Sequence, residues 1–279
     1  MSNSGGSNDL LTQARSALLD AFDALEQHRD SVIVIGAQAV YIRAKGALVA
    51  VAEATKDSDL AVDPRTLDDE PLLQMAMERG GFHRDATKNQ PGAWLNSTGI
   101  PVDLMVPESL AGDGGKSTRG ARIPPHDKHA TRRARGLEAT VVDNEWITVA
   151  ALDPADRRSY EVRVAGSAAL LVAKTHKIHE RAAGVPHRLV DKDAHDIYRL
   201  LVATQTEVLA EGIDRLLLDE LATETTMEAV GFLREDFAAG PTALGSMMAG
   251  RAEEGVGVPE TVALQTSILA SDLLRSLGW

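Results

Sequence analysis

Cysteine is missing from all 279 residues, which removes disulfides, thiolate metal sites and a cysteine nucleophile together. No apolar run approaches the roughly 20 residues that a membrane-spanning helix needs. Met1 to Asn8 is small and polar without an apolar core, so no secretory leader and no membrane partner are expected, and a cytoplasmic location is the default. Three familiar signatures are also missing: no Gly-Lys-Ser/Thr follows Gly36 to make a P-loop, and neither Gly-x-Ser-x-Gly nor His-Glu-x-x-His occurs. Internal repeats are absent too.

What is present is a globular composition. Apolar residues make up 44% of the chain, enough to build one large domain or two smaller ones around a real core. The net charge is −12, which argues against bulk affinity for nucleic acid. The charge is unevenly spread, however. Lys116, Arg119, Arg122, Lys128, Arg132, Arg133 and Arg135 form a basic strip interrupted by one acid, Asp127. Such a strip either holds a polyanion locally or is a solvated loop.

The stretch from Val32 to Asp63 organises the chain. Val32-Ile33-Val34-Ile35 is the kind of apolar run that is buried on both faces of a sheet. Gly36 follows, Ala37 to Lys45 reads as a helix, and Gly46 to Thr55 is looser. Asp57-Ser58-Asp59 then opens a second apolar stretch, Leu60-Ala61-Val62. In an extended chain Asp57 and Asp59 share a face about 7 Å apart, while Ser58 points the other way. Like charges so placed repel, and a divalent cation reverses the sign. Asp103, in the apolar strand Gly99 to Val106, is a candidate third carboxylate. Oxygen ligands of this kind suit Mg²⁺, and the Gly36 turn with the helix N-terminus behind it offers N–H groups to a phosphate.

Taken in order, Ser2 to Asn8 reads as a disordered tail and Leu10 to about His28 as an amphipathic helix. Asp68-Asp69-Glu70 opens a helix running to Arg79 and stopped by Gly80-Gly81. Short strands follow between Phe82 and Leu95, and Gly112 to Arg135 is the basic loop. Further strands are expected at Ala139 to Val142, Trp146 to Ala150 and Tyr160 to Val164. From Ser167, expected as an N-cap, only helices follow: Ala168 to Arg181, Asp191 to Ala203, Thr206 to Ala222, Thr225 to Ala238, Pro241 to Ala249 and Pro259 to Leu277. The fold class expected is α+β, with a mixed-sheet domain over residues 1–165 and a helical domain over 166–279.

These residues resemble the DNA polymerase β-like nucleotidyltransferases, and within them the AbiEii/MenT-type toxins of bacterial toxin–antitoxin systems, over roughly Val32 to Leu200. The strand, Gly36-Ala37, the helix and Asp57-Ser58-Asp59 match the first family motif, with Ala37 in place of the usual serine. Asp103 matches the third carboxylate. The resemblance implies metal ligation by Asp57, Asp59 and Asp103, and phosphate seating by Gly36 and Ala37. It places Lys174 opposite the nucleotide phosphates, with Lys177 and Arg181 on the same helix face. It makes Asp196 the essential acid of a closing motif, with Asp193 second. The implied cofactor is Mg²⁺, the donor an NTP, and the acceptor RNA, above all the 3′ end of tRNA. A cognate antitoxin is the expected protein partner, and the basic strip is the candidate RNA contact.

Two other readings stay open: transfer to a small hydroxylated molecule such as an antibiotic, and a degenerate module that binds nucleotide without turnover. The histidines His176, His179, His187 and His195 read as surface or phosphate-side groups rather than metal ligands.

Overall fold

Apolar residues spaced by three and four carry the first helix, α1 (Ser4–Ala24), which buries Ala14, Leu18, Ala21 and Phe22. A 3-10 helix (Glu26–Ser31) leads from it into β1 (Val32–Ile35), buried at every residue. The computed structural model describes residues 4–45, 57–85, 90–114 and 118–279. Gly46 to Thr55 and Lys116 lie outside the described residues. After β1 come α2 (Gly36–Arg43), β2 (Ser58–Val62), α3 (Leu73–Arg79), β3 (His83–Arg84), β4 (Ala93–Leu95) and β5 (Pro101–Pro107). Next are β6 (Arg132–Ala134), α4 (Glu138–Val142), β7 (Asn144–Ala150) and β8 (Ser159–Ala165). Helices alone follow: α5 (Ser167–Gly184), α6 (Asp191–Ala203), α7 (Thr206–Leu217), α8 (Thr223–Leu233), α9 (Leu244–Arg251) and α10 (Pro259–Ser276).

The N-terminal half is therefore mixed α/β with an open sheet, and the C-terminal part is largely helical. The strands run in the order β3-β4-β5-β2-β1-β8-β7, with β6 beside β5. β2 is antiparallel to β1 and parallel to β5, and β8 is parallel to β1. The chain divides into two units. The first comprises Met1–Gln38, Ala54–Leu137 and Asn144–Ala165; the second comprises Ala39–Glu53, Glu138–Asp143 and Gly166–Trp279.

In the first unit α1 covers one face of the sheet. Ser58 points to it and donates a 2.9 Å hydrogen bond to the Ala14 carbonyl, as expected from alternation with its aspartate neighbours. Arg15 on α1 donates to Gln38 Oε1 at 3.0 Å, which ties down the first turn of α2.

Several elements differ from expectation. The first helix reaches back to Ser4, where a disordered tail was expected. Asp68 to Glu70 is not helical, because proline at 71 disfavours helical backbone in the residue before it, and α3 starts only at Leu73. Glu138–Val142 is a short helix rather than a strand; β-branched Thr140, Val141 and Val142 gave a strand signal that burial overrode. Gly166, not Ser167, is the N-cap of α5. The carboxylate of Asp143 performs the capping, accepting from the Ala169 N–H at 3.2 Å. A Cβ at Gly166 would lie 2.1 Å from Asp143 Oδ2, so glycine is what lets that cap approach. The end of the basic loop is itself a strand, β6, parallel to β5.

Gly36 decides the geometry of the turn after β1. Its φ is +65°, and a Cβ there would fall 2.1 Å from Asp59 Oδ2. Gly81 has a comparable φ of +82° with nothing within 4 Å of its would-be Cβ. Gly81→Ala should therefore cost only the left-handed backbone penalty, about 1 kcal/mol. Gly36→Ala should add steric overlap and cost at least about 3 kcal/mol. Urea unfolding of both variants checks this, and equal losses would show that Asp59 does not press on the turn.

Candidate active site

The strand register places the carboxylates. Asp59 is paired with Ile35 on one side and with Asp103 on the other, across the parallel strands β2 and β5. Residues paired in a sheet share a face, so Asp59 and Asp103 stand side by side on the face opposite Ser58. Asp57 lies one residue before β2 and is exposed; strand alternation is expected to bring it to the Asp59 side, but β2 itself begins at Ser58. Two unit charges about 5 Å apart, the spacing of neighbouring strands, repel by roughly 3 kcal/mol at an effective dielectric of about 20. Asp59 also lies at the N-terminus of α2, against Gly36, where the helix dipole favours an anion. Its carboxylate thus stands where sequence reasoning placed only a phosphate. Ala37, the next residue of that turn, is buried.

Asp103 has a cation at hand. Arg132 Nη2 lies 3.1 Å from Asp103 Oδ2 and 3.0 Å from Met105 Sδ. Sequence reasoning grouped Arg132 with the RNA-facing strip, because a three-residue strand of Arg-Arg-Ala carries no apolar signal. Two neighbours of Arg132 in the strip are also tied to the protein itself, at the surface. Arg133 donates to the Gly112 carbonyl at 2.7 Å, and Arg135 lies 3.5 Å from Glu108. Asp127, the acid within the strip, accepts from Arg84 at 2.6 Å. Arg119, Arg122 and Lys128 are exposed.

Among the described residues, no group of three or more His, Asp or Glu side chains stands close enough to hold a metal ion. The donor chemistry nonetheless suits a hard divalent cation. Carboxylate oxygens on adjacent strands already have a positive group, the Arg132 guanidinium, lodged against one of them.

The second unit gathers the downstream residues. Lys174, Lys177 and Arg181 do share a face of α5, and all three reach Asp193, at 2.8, 2.8 and 3.0 Å. Lys174 also donates to Asp196 at 2.7 Å, and Lys192 lies 3.6 Å from the same carboxylate. Lys174 is 4% exposed and Asp196 1%. In this state Lys174 is therefore committed to carboxylates rather than presented to a phosphate. Burial by itself would push the Lys174 ammonium down, but Asp193 and Asp196 outweigh it and hold it above the ordinary lysine range. Burial would likewise raise both acids. Lys174 and Lys177 instead hold Asp193, and Lys174 and Lys192 hold Asp196, below the usual carboxylate range.

Of the four histidines expected at the surface or beside a phosphate, His187 is exposed as expected, His179 is half-buried, and His176 and His195 are buried. His176 is buried and donates to the Thr225 carbonyl at 2.7 Å. His195 is buried against Glu253 at 2.6 Å, and burial pushes its imidazole down. His179 stacks on Phe232 and meets Asp236 at 3.0 Å. Their isolated positions in the sequence gave no sign of these partners.

No protein-family model and no curated protein matches the chain. A solved structure from H. pylori is described as that of a nucleotidyltransferase, an assignment its own description leaves open. It aligns over 100% of this chain and 98% of that one at 11% identity, with a TM-score of 0.30. A likeness that slight carries no argument about fold or function, and the case rests on the residues themselves. Among the described residues no helix is long and apolar enough to cross a membrane.

The buried ion network makes a pH prediction. A carboxylate whose folded pKa is depressed stabilises the fold above its unfolded value, near 4, and loses that contribution as pH falls through the lower folded value. Lys174→Met strands the buried Asp196 and should cost about 3–5 kcal/mol at pH 7. Without its main cation Asp196 titrates above its unfolded value, so the deficit should shrink as pH is lowered to about 4. Urea unfolding at pH 7 and pH 4 measures this, and a deficit that does not depend on pH would contradict it.

Proposed function

We propose that the chain is a Mg²⁺-dependent nucleotidyltransferase that moves a nucleotide from an NTP to RNA, first of all the 3′ end of tRNA. In this reading it acts as the toxin of a toxin–antitoxin pair and is held in check by a cognate antitoxin. The observation that carries the enzymatic part is the register pairing of Asp59 with Asp103, with Asp59 pressed against the left-handed Gly36 at the start of α2. The acceptor and the biological role come from the residue-level resemblance described under Sequence analysis.

Asp57, Asp59 and Asp103 would hold the metal, which when bound neutralises triphosphate charge and steadies the leaving group. Asp103 would accept the proton of the attacking hydroxyl. The turn at Gly36 and Ala37, with the N-terminus of α2 behind it, would seat the phosphates beside Asp59. Lys174, Lys177, Arg181, Asp193 and Asp196 act by fixing α5 against α6, with Lys177, 38% exposed at its side chain, the member best placed to meet solvent. The exposed Arg119, Arg122 and Lys128 are the candidate contacts for an RNA backbone, a contact that weakens with added salt.

Incubation with Mg²⁺, each labelled NTP and total tRNA should transfer label to RNA. Asp59→Ala and Asp103→Ala should each lower the rate at least about a hundredfold while the variants remain folded. Label in a small hydroxylated molecule alone would move the assignment to that acceptor class. Failure of wild type to label any acceptor, with unchanged nucleotide binding, would replace the enzyme by a binding module.

A further inference from the structure

Arg132, in the basic strip, sends its side chain to the carboxylate row, with Nη2 3.1 Å from Asp103 Oδ2. Its position follows from register: Arg132 pairs with Met105 on the parallel strand β5, two residues beyond Asp103, so all three side chains share a face. The Arg132 backbone is held firmly. Gly120 bridges to it, and Gly92 packs so close that a Cβ there would lie 2.7 Å from the Arg132 nitrogen. The next residue is fixed too, with the Arg133 N–H bonded to the Arg119 carbonyl at 2.9 Å. The guanidinium itself is different. Its side chain is 24% exposed and Asp103's is 22%, so it has room to swing towards solvent while its backbone stays in place.

An arginine here cannot yield by losing its proton, because guanidinium stays charged throughout the accessible pH range. A divalent cation approaching Asp59 and Asp103 therefore meets a fixed positive charge on one of its two carboxylates. Only a stronger anion can draw that charge away, and a triphosphate offers paired oxygens that the planar guanidinium fork can bind bidentately.

Resting on the nucleotidyltransferase reading above, we propose that Arg132 is an internal counter-cation that holds Asp103 until a nucleoside triphosphate takes the guanidinium. Metal and nucleotide then bind as a coupled pair. Arg132 offsets the charge of Asp103 without nucleotide and becomes a triphosphate contact with it.

The test uses the full chain. Mn²⁺ binding without nucleotide is followed by electron paramagnetic resonance of the free ion. Binding of a labelled, non-hydrolysable NTP is followed by equilibrium dialysis at saturating Mn²⁺. Arg132→Gln should bind Mn²⁺ alone about tenfold more tightly, as expected when a neighbouring positive charge is removed, and bind the nucleotide about tenfold more weakly. Arg132→Lys, which keeps the charge, should stay close to wild type for Mn²⁺ and lose part of the nucleotide affinity. Should Arg132→Gln not fold, Met105→Leu, a volume-conserving change that removes the thioether against the guanidinium, should shift Mn²⁺ binding about twofold in the same direction. Opposite shifts for metal and nucleotide support the proposal, since a purely structural ion pair would move both together or neither. A folded Arg132→Gln whose Mn²⁺ affinity is unchanged or weaker overturns it. Asp59→Asn separates the two levels: if it binds Mn²⁺ as wild type does, the carboxylate centre itself is wrong, whereas loss of Mn²⁺ in Asp59→Asn with no change in Arg132→Gln removes the counter-cation role alone.

Discussion

Two aspartates held in register on neighbouring strands repel one another wherever they are placed, and much of the first unit can be read as the means of tolerating that repulsion. Asp59 and Asp103 are fixed by the β2–β5 pairing and cannot separate without breaking the sheet. The protein offsets the charge in two ways. Asp59 lies at the N-terminus of α2, where unpaired N–H groups favour an anion, and the absent side chain of Gly36 allows that approach. Asp103 meets the Arg132 guanidinium. Sheet register, the glycine turn and the late strand β6 thus serve one electrostatic requirement.

The second unit meets a similar requirement in a drier setting. Asp193 and Asp196, on the first turns of α6, are almost completely buried, and isolated charges so placed would be very costly. Lys174, Lys177 and Arg181 answer them from one face of α5, with Lys192 adding a longer contact. Such a network adds little net stability compared with an apolar core of the same volume, but breaking it by removing one partner is expensive. Its value lies in fixing one arrangement of α5 and α6: sliding either helix by a turn would leave two carboxylates buried without cations.

How much of this was legible depended on whether a residue's role is local. β1 was readable because four apolar residues leave no polar face, and the opposed directions of Ser58 and Asp59 follow from alternation alone. The common face of Lys174, Lys177 and Arg181 was readable from helical spacing. What sequence hid was pairing at long range. Arg132 is 29 residues from Asp103, on a strand of three polar or small residues that no periodicity reveals. His195 and Glu253 are 58 residues apart, so burial turned a histidine that reads as a surface group into half of a buried pair. Asp143 caps α5 from outside it, a partner that the helix's own sequence, with Ser167 at its start, does not reveal. Local propensity failed at Glu138–Val142, where β-branched residues sit in a short buried helix.

The same accounting changes what the basic strip means. Counted along the sequence, its cations look like a reserve of positive charge in an acidic chain. In three dimensions Arg132 and Arg135 serve carboxylates of the protein itself and Arg133 serves a backbone carbonyl, leaving Arg119, Arg122 and Lys128 on the exposed side. Three exposed cations among the described residues of the strip, on a chain of net charge −12, give little general attraction to a polyanion, because each neutralised phosphate contributes through a released counterion and few are neutralised. If a nucleic acid is the acceptor, as proposed, its recognition would depend on the fit of a defined end or fold more than on charge along a backbone.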